Sequence, residues 1–429
     1  MKRKVTIYGL LALGCCIMAS CMKNQEDYFD QSSSERLQGT MNQVKQLLRS
    51  SEYGWEFEYY PGSSLEYGGI VYVMRFDSLT VDVSCSLIPD STETTYYRIG
   101  NDSGPVLTFD TYNRLFHYFS TPNSGEYEAK GGEFEFVVKE LSDTLITLYG
   151  KKTRNTMYLR RLTAPADEYS AQTIEHFDHM PLNYSGTVGA TEVQATISQG
   201  SKSLTLTFDG RSVSVPFAYN NKGVHLYRPV TLGGSTIQTL IYDKETNVLV
   251  SDDADGQQLT LQGIETTSSV VRYSDYEGRY LLRYNGSSTR TVTLEPNRLD
   301  GSYQLKGLSP KLVLALTYDY ETGNLTLGPQ VVGDIGGATV YFVTFNSSEG
   351  KLWLADTASF TLKWNGNKNR VAYNFTPTNP GVYNCNSGVL VKVFYGDDGA
   401  LTAAVITETE WLMGGSAILY DLNMLQKQK

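Results

Sequence analysis

The chain has 429 residues, with 36 Lys and Arg against 46 Asp and Glu, which gives a net charge of −10 at pH 7. This length is enough for two or three domains. A net acidic chain without a basic cluster argues against nucleic-acid binding. Its five cysteines form no CxxC pair and no disulfide framework, and its four histidines leave little for metal or acid–base chemistry.

The first residues predict a lipoprotein signal peptide over 1–20. Three basic residues precede an apolar stretch over 5–19, which has the length of a signal-peptide core and is short for a spanning helix. Small residues directly before Cys21 are typical of the site cut by the lipoprotein signal peptidase, so we expect Cys21 to carry the lipid. The alternatives are a cut before Cys15, an ordinary secretory signal, or an uncleaved anchor.

The segment 21–31 has the composition of a polar tether. Its acidic residues Glu26 and Asp27 resemble the signal with which Bacteroidota export lipoproteins to the outer face of the outer membrane. A solvated linker without such a signal is the alternative. We expect a lipid-anchored outer-membrane protein facing the cell exterior, with a periplasmic orientation as the second possibility.

One helix is predicted near the start of the mature chain. Ser32 and Glu35 have the spacing of a capping box, and Gly54 ends the pattern. Apolar residues recur between them at helical intervals, at Leu37, Met41, Val44, Leu47 and Leu48. Such a stripe needs a partner, so we expect the helix to pack on a sheet or on the end of a barrel.

Short segments with alternating apolar residues follow almost without interruption and predict a first β domain over 32–165. The predicted strands are 55–60, 70–76, 80–87, 96–99, 106–110, 134–140, 144–149 and 156–162. Eight consecutive short strands fit an up-and-down barrel or a sandwich. We favour a lipocalin-like barrel with the helix beside it.

The pattern is lost over 166–180, which we interpret as a linker, and two further β regions are predicted over 181–268 and 269–429. The expected fold is all-β with one N-terminal helix, in tandem antiparallel barrel or sandwich domains. Residues 240–249 and 316–325 resemble each other. Because hairpins reuse Asp, Asn and Gly in their turns, we favour a recurring turn over a true duplication.

Three segments could carry metal or phosphate chemistry, and none has a convincing pattern. In 175–179 the spacing His-x-x-His suits neither one helical face nor one strand face, so a solvated connector is favoured over a zinc site. The acidic run 252–256 lacks the bidentate acid of a calcium loop, since Gln262 stands there. The glycine-rich run 333–337 precedes no helix, so we expect a loop. We predict no metal and no cofactor.

No catalytic residue is predicted, and we expect a protein that is not an enzyme. The chain has no G-x-S-x-G motif. His117 lies in an aromatic run, where a packed, hydrogen-bonded histidine is the simpler interpretation. With 46 acids, a carboxylate pair for glycoside hydrolysis cannot be identified from sequence.

Aromatic residues are the remaining candidates for binding. The chain has 31 tyrosines and four tryptophans, Trp55, Trp353, Trp364 and Trp411. Core packing is the favoured role for any one of them. In a set of this size some rings should nevertheless be exposed and could stack on a sugar or a peptide.

Several motifs resemble one family of Bacteroidota lipoproteins, the domain of unknown function 4302. They lie at 54–61, 104–113, 131–136, 148–152 and 223–229. The resemblance extends over about residues 28–264. It implies an accessory lipoprotein encoded beside a nutrient-uptake system, in which a TonB-dependent porin and its partner lipoprotein capture a substrate. The family supplies no catalytic residues.

We therefore expect an outer-membrane surface lipoprotein that helps capture a nutrient, either a glycan or a peptide. A structural or adhesin-type role in a surface complex is the alternative, and a hydrolase is less favoured. Capture predicts a cleft or patch rimmed by Trp and Tyr. An assembly role predicts a flat apolar interface, and a hydrolase predicts two acids converging in a groove.

Overall fold

A computed structural model describes residues 32–102, 104–122, 129–252, 255–264, 271–395 and 401–428. The predicted signal peptide, Cys21 and the tether lie outside the described residues. In the described part, three closed eight-stranded antiparallel barrels follow one another along the chain. The expected all-β class with tandem antiparallel domains is confirmed, and each domain is a barrel rather than a sandwich. Among the described residues, no helix is long and apolar enough to cross a membrane.

The predicted N-terminal helix is present as α1 (Ser33–Arg49). Its capping box is formed: the Glu35 N–H donates to Ser32 Oγ at 3.3 Å, and the Ser32 N–H donates to Glu35 Oε2 at 2.9 Å. The apolar stripe packs against the first barrel, where Val44 and Leu48 are buried. Trp55 Nε1 donates to the Leu48 carbonyl at 2.7 Å and ties the end of the helix to the first strand.

The first barrel is a meander of eight strands closed by pairing of the first with the last. Its strands β1–β8 are Trp55–Tyr59, Ile70–Phe76, Thr80–Cys85, Ile88–Asn101, Pro105–Phe109, Glu135–Leu141, Leu145–Gly150 and Thr156–Arg161. Each predicted segment overlaps one strand. The largest difference is at β4, which spans Ile88–Asn101 where the prediction was 96–99. A short 3-10 helix, η1 (His117–Phe119), follows Phe116, whose ring packs 4.5 Å from that of Phe109. Aromatic side chains therefore fill this barrel.

The segment 166–180, which we expected to be a linker, is the helix α2 (Ala166–His179). Pro165 precedes it, and its first turn is acidic, as the helix dipole favours. Its buried face consists of Tyr169, Ser170, Thr173, His176 and Phe177. These residues have helical spacing but are mostly polar or aromatic, and for that reason an apolar pattern is missing from the sequence.

The second barrel is also closed, because its first strand pairs with both the second and the last. Its strands β9–β16 are Asn183–Val188, Thr191–Ser198, Ser203–Phe208, Arg211–Tyr219, Gly223–Leu232, Ser235–Asp243, Val248–Ser251 and Leu259–Ile264. It packs side by side with the first barrel, where the Gly69 N–H donates to the Phe217 carbonyl at 2.9 Å. A Cβ on Gly69 would lie 2.6 Å from the Ala218 Cβ, so this approach requires glycine.

The third barrel begins after a 3-10 turn, η2 (Tyr273–Tyr276). Its strands β17–β21, β25, β26 and β30 are Gly278–Tyr284, Ser288–Asn297, Ser302–Lys306, Leu314–Tyr318, Leu325–Leu327, Phe360–Trp364, Ala372–Pro377 and Met424–Lys427. Tyrosines fill its core, and their hydroxyls donate to backbone carbonyls. For example, Tyr276 bonds to Gly323 at 2.9 Å and Tyr280 to Tyr276 at 2.7 Å. This core accounts for part of the high tyrosine content.

Two insertions in the third barrel build a separate six-stranded sheet. Its strands β22–β24 and β27–β29 are Gln330–Ile335, Ala338–Asn346, Lys351–Trp353, Ser387–Tyr395, Leu401–Val405 and Ile418–Leu419. The glycine run predicted to be a loop only partly forms one. Gly333 to Ile335 lie in β22, and Gly336 and Gly337, with φ of +59° and +85°, form the turn to β23.

The two similar segments found in the sequence are hairpins at different places in their barrels. The first joins β14 to β15, the sixth and seventh strands of the second barrel, and the other joins β20 to β21, the fourth and fifth strands of the third. In each turn an Asp side chain accepts from a backbone N–H two residues later, Asp243 from Glu245 and Asp319 from Glu321. The shared feature is the turn chemistry.

Helix α2 contacts all three barrels. Tyr169 belongs to an apolar cluster with Val71 of the first barrel. His176 Nδ1 lies 2.8 Å from the Asn220 carbonyl of the second barrel. At the end of the helix, Asp178 accepts two hydrogen bonds from Arg298 of the third barrel, at 3.1 and 2.7 Å. The connecting segment therefore fixes the barrels to one another.

Candidate functional site

A cleft lies between the outer faces of the first two barrels, and strand β1 contributes to its wall. Alternation along this strand directs Trp55 and Phe57 into the first barrel, and Glu56 and Glu58 outward. Outward acids on a barrel are normally solvated. Here the second barrel and helix α2 cover them, so Glu56 is only 6% exposed and Glu58 is 0% exposed.

The cleft has a volume of about 530 Å³, within the range typical of sites for small ligands. Its walls come from three elements that are distant in sequence, namely the outer face of the first barrel, helix α2, and the outer face of the second barrel. Its polar lining includes Glu56, Tyr158, Arg160, Tyr169, Asn220, Asn221, Lys222, His225 and Asp252.

A chain of polar contacts crosses the cleft between the barrels. Arg160 Nη2 lies 3.2 Å from His225 Nε2, and His225 Nδ1 lies 2.9 Å from Glu58 Oε2. The His225 ring therefore lies between the guanidinium of Arg160 and the carboxylate of Glu58. Arg160 Nε also lies 3.5 Å from Glu58 Oε1. Burial alone would raise the pKa of Glu58, but His225 and the Arg160 charge hold it below its ordinary value.

Glu56 has the opposite character, although it stands only two residues away. Burial and the negative charge of Glu58 raise the pKa of Glu56 to about 8. At neutral pH the pair therefore carries one proton and one negative charge. Two neighbouring carboxyl groups whose pKa values are shifted in opposite directions are typical of functional sites, because burial and a like charge act there on the same group.

The same cluster leaves polar atoms unsatisfied. Six buried side-chain oxygens form no hydrogen bond within the described part of the chain, and four of them belong to Glu56, Glu58, Tyr60 and Tyr169. The Glu58 oxygen among them keeps the ion-pair contact with Arg160, so three of the four have no polar partner. Each such group costs about 1–3 kcal/mol in a folded protein. A concentration of unsatisfied groups beside a cleft indicates a place where stability has been given up for function.

The protonation of Glu56 makes stability depend on pH. Because its pKa is raised in the folded state, that state binds more protons than the unfolded one between pH 4.5 and about 8. Its contribution to the free energy of unfolding should therefore fall through this window, by up to a few kcal/mol, and be flat above it. We expect Glu56→Gln to remove this decline, as measured by urea denaturation at pH 5 and pH 8. A decline of the same size in the variant would show that other groups cause it.

The side chains of segment 175–179, considered above as a metal site, point to different partners because the segment is part of helix α2. His176 is buried and bonded to Asn220, Asp178 pairs with Arg298, and His179 lies on the surface beside Glu175, 3.4 Å away. The favoured solvated connector is wrong as well, since the segment is helical and His176 and Phe177 are buried. Among the described residues, no group of three possible metal ligands converges.

Other predicted candidates have structural surroundings. His117 is half-buried, and its Nδ1 accepts from the Asn113 N–H at 3.1 Å. Trp55 and Trp411 are buried, and Trp353 and Trp364 are half-buried, so none of the four is a fully exposed ring. In the run 252–256, residues 253 and 254 lie outside the described residues, and Asp252 lines the cleft.

A second candidate surface is an aromatic stack outside the first barrel. The His117 ring lies between those of Tyr112 and Phe134, with centroids 5.5 Å apart on both sides. Tyr112 is 66% exposed and Phe134 is 42% exposed. The expectation of some exposed rings holds here. The cleft between the barrels is the stronger site because it combines a volume of about 530 Å³ with buried charged groups.

Glu56 and Glu58 were not predicted as site residues, although both lie in a predicted strand. One signal could have located them. Strand β2 is apolar on both of its faces, with Ile70 to Met74 all buried, and a strand of this kind must be covered on both sides. Its neighbour β1 shares that covered side, so its outward acids are buried too.

The fold and the cleft define a class: a chain of tandem closed β-barrels with a buried polar cluster between the first two. The chain belongs to the family described as domain of unknown function 4302, whose model matches residues 25–244. A second model, also described as a domain of unknown function, matches residues 252–391. The boundary between the two models falls within the second barrel, over residues 245–251, which include β15.

No curated protein matches the chain. A solved structure of a mosquitocidal holotoxin aligns with 82% of this chain at 10% identity and a TM-score of 0.14. The alignment spans 58% of that toxin. At this TM-score the alignment carries no argument about fold or function.

Proposed function

We propose that this protein is a surface lipoprotein that captures a polar nutrient, a glycan or a peptide, in the cleft between its first two barrels. One observation carries the proposal: three buried oxygens, of Glu56, Tyr60 and Tyr169, form neither a hydrogen bond nor an ion pair within the described residues, and they cluster beside a cleft of about 530 Å³. Glu56 and Tyr169 belong both to this cluster and to the cleft wall. The barrel interiors are filled by side chains, so they do not compete as ligand sites.

The arrangement favours binding over catalysis. Glycoside hydrolysis uses two carboxyl groups that flank the scissile bond on opposite sides. Glu56 and Glu58 both project from one strand, on the same side of the cleft. Glu58 is moreover engaged by His225 and Arg160, and it has no contact with open solvent. Such groups can orient a ligand but do not surround a reacting bond.

In this proposal the lipid on Cys21 holds the barrels at the outer membrane, facing the cell exterior. The partners are a TonB-dependent porin and its own lipoprotein, which would receive the captured ligand. Stable anchoring follows from two or three acyl chains, because each buried methylene adds to membrane affinity. Metabolic labelling with an alkyne fatty acid tests the anchor. Label retained by a Cys21→Ser variant would contradict it.

Ligand capture predicts thermal stabilisation of the form that begins after Cys21. A ligand that binds only the folded state must raise its melting temperature, by an amount that grows with ligand concentration. We expect a shift with one class of a panel of polysaccharide fragments and peptides. Thr163→Trp, at the exposed rim of the cleft, should abolish this shift.

The matched control is Thr407→Trp at an exposed position of the C-terminal domain, which should leave the shift unchanged. A shift that persists in the Thr163→Trp variant would move the site away from the cleft, and the aromatic stack around His117 would then be tested in the same way. No shift with any member of the panel would contradict capture.

An assembly role is the second candidate, and one observation favours it. One side of the inserted sheet carries an apolar cluster that is separate from the main core and buried within the chain, Val343, Phe345, Val389, Val391 and Val393. The sheet pairing continues this face onto the exposed Val331 and Val405. Cross-linking in intact membranes tests it, since an assembly role predicts a stable partner that is lost in a Val405→Lys variant.

A further inference from the structure

We propose that the cleft selects acidic saccharides, sugars that carry a carboxylate, over neutral ones. This inference rests on the proposed function and deepens it. It follows from the charges that face the cleft, from the unused donors of Arg160, and from the closed walls of the two barrels.

The cleft is locally positive in a chain that is strongly acidic. Three cationic side chains line it, Arg160, Arg161 and Lys222. Among the described residues the acids that line it are Glu56 and Asp252, with Glu58 buried behind Arg160, and Glu56 keeps its proton at neutral pH. The chain as a whole has a net charge of −10 and repels anions. A cationic cleft on such a surface attracts anionic ligands and raises their local concentration.

Arg160 is the group placed to bind a carboxylate. Its Nε faces Glu58, its Nη2 faces His225, and its guanidinium lies 4.8 Å from the centre of the Tyr158 ring. These contacts fix the plane of the group. Nη1 forms no hydrogen bond within the described part of the chain, so its two N–H donors remain for a ligand. A rigid guanidinium edge matches the planar geometry of a carboxylate.

The other two cations have different roles. Arg161 donates to the Asp143 carbonyl at 2.6 Å and to Ser50 Oγ at 2.7 Å, so it contributes charge and not a contact. Lys222 is exposed at the edge of the cleft, and its side chain forms no ion pair within the described residues. It can follow a carboxylate as a mobile point charge.

The remaining chemistry suits a sugar better than an acidic peptide. Asn221 lines the cleft, and its side-chain amide offers a donor and an acceptor for hydroxyl groups, whereas the Asn220 side-chain oxygen already accepts from the N–H groups of Lys222 and Gly223. An extended peptide is usually bound by pairing with a free strand edge. The walls of this cleft belong to closed barrels, which have no free edges, and helix α2 closes one side.

Isothermal titration calorimetry on the form that begins after Cys21 tests the inference. The probes are uronic acid disaccharides of galacturonate, glucuronate and mannuronate, each beside its neutral methyl ester, with a tri-glutamate peptide as the alternative ligand. We expect at least one acidic sugar to bind tenfold or more tightly than its ester at pH 7 and low salt. This preference should shrink in 0.5 M salt, because the attraction is partly exposed and screened.

Two variants locate the preference. Lys222→Gln, an exposed change, should reduce the acid-over-ester ratio several-fold, and Arg160→Gln should abolish it. Lys368→Gln, an exposed lysine in the third barrel, is the matched control and should change nothing. Circular dichroism checks that each variant is folded, and Lys222→Gln keeps the test valid if Arg160→Gln is not.

The outcomes separate this inference from the proposed function. Equal binding of acids and esters, or binding of esters alone, overturns the acidic preference and leaves capture in the cleft standing. Binding of the peptide without any sugar overturns the choice of saccharide. If no probe binds and the wider thermal panel also gives no shift, the proposed function fails with it.

Discussion

Replacing Arg160 with Met should lower the free energy of unfolding by about 3 kcal/mol at pH 7, as measured by urea denaturation. The change removes the guanidinium that faces Glu58, a carboxylate that is 0% exposed. The contact with His225 then remains to stabilise that charge. Breaking a buried ion pair by removing one partner is costly because the other charge stays buried without compensation.

The loss should depend on pH with a defined sign. In the native protein the pKa of Glu58 is held below its ordinary value, so its contribution to stability is present above pH 4.5 and is lost as the pH falls. The Arg160→Met variant lacks this contribution, and its deficit should be larger at pH 7 than at pH 4. Arg98→Met, which breaks an exposed pair with Asp110, is the control and should cost no more than about 1 kcal/mol. Equal losses of stability in the two variants would contradict the claim that burial determines how much an ion pair contributes.

Local chemistry makes the first barrel and its helix predictable. Period-two alternation such as that of Phe136 and Val138 around Val137 locates strands, and the Ser32 and Glu35 pair locates the start of α1. These signals depend on neighbours within four residues. Closure into a barrel could not be predicted in this way, because it depends on the pairing of β1 with β8, which are about a hundred residues apart. The strands of a sandwich have the same alternation, so the pattern does not distinguish the two folds.

The elements that were missed are those defined by partners distant in sequence. Helix α2 buries Thr173 and His176, and these residues are acceptable on a buried face only because specific carbonyls receive them, such as that of Asn220. The inserted sheet is assembled from two segments separated by β25 and β26, so no short window contains its pairing.

The candidate site was beyond local prediction for the same reason. Glu56 and Glu58 differ from solvated acids only because a second barrel covers them, and the contact between Glu58 and His225 spans 167 residues. The sequence shows that something must cover β2, whose two faces are both apolar, but it does not show what. The candidate site thus depends on the packing between the first two barrels. The alternating apolar pattern within each barrel predicts only the strands of that barrel.

The second large effect should arise at the other end of α2, where Arg298 pairs with Asp178. Both side chains are about nine-tenths buried, and the pair is bidentate, at 3.1 and 2.7 Å. Arg298→Met should leave Asp178 buried without a cation and cost about 3–5 kcal/mol in urea denaturation. Since this pair joins the helix to the third barrel, calorimetry should show the third barrel melting separately and at a lower temperature.

A double variant tests whether the cost comes from the orphaned charge rather than from lost packing. Asp178→Leu combined with Arg298→Met removes both charges and keeps similar volumes, so it should recover most of the stability lost in Arg298→Met. Lys306→Met, which breaks an exposed pair with Glu295 on the same barrel, should cost no more than about 1 kcal/mol. If the double variant is no more stable than Arg298→Met, the contacts of the Arg298 stem hold the barrels together, and the ion pair contributes orientation rather than stability.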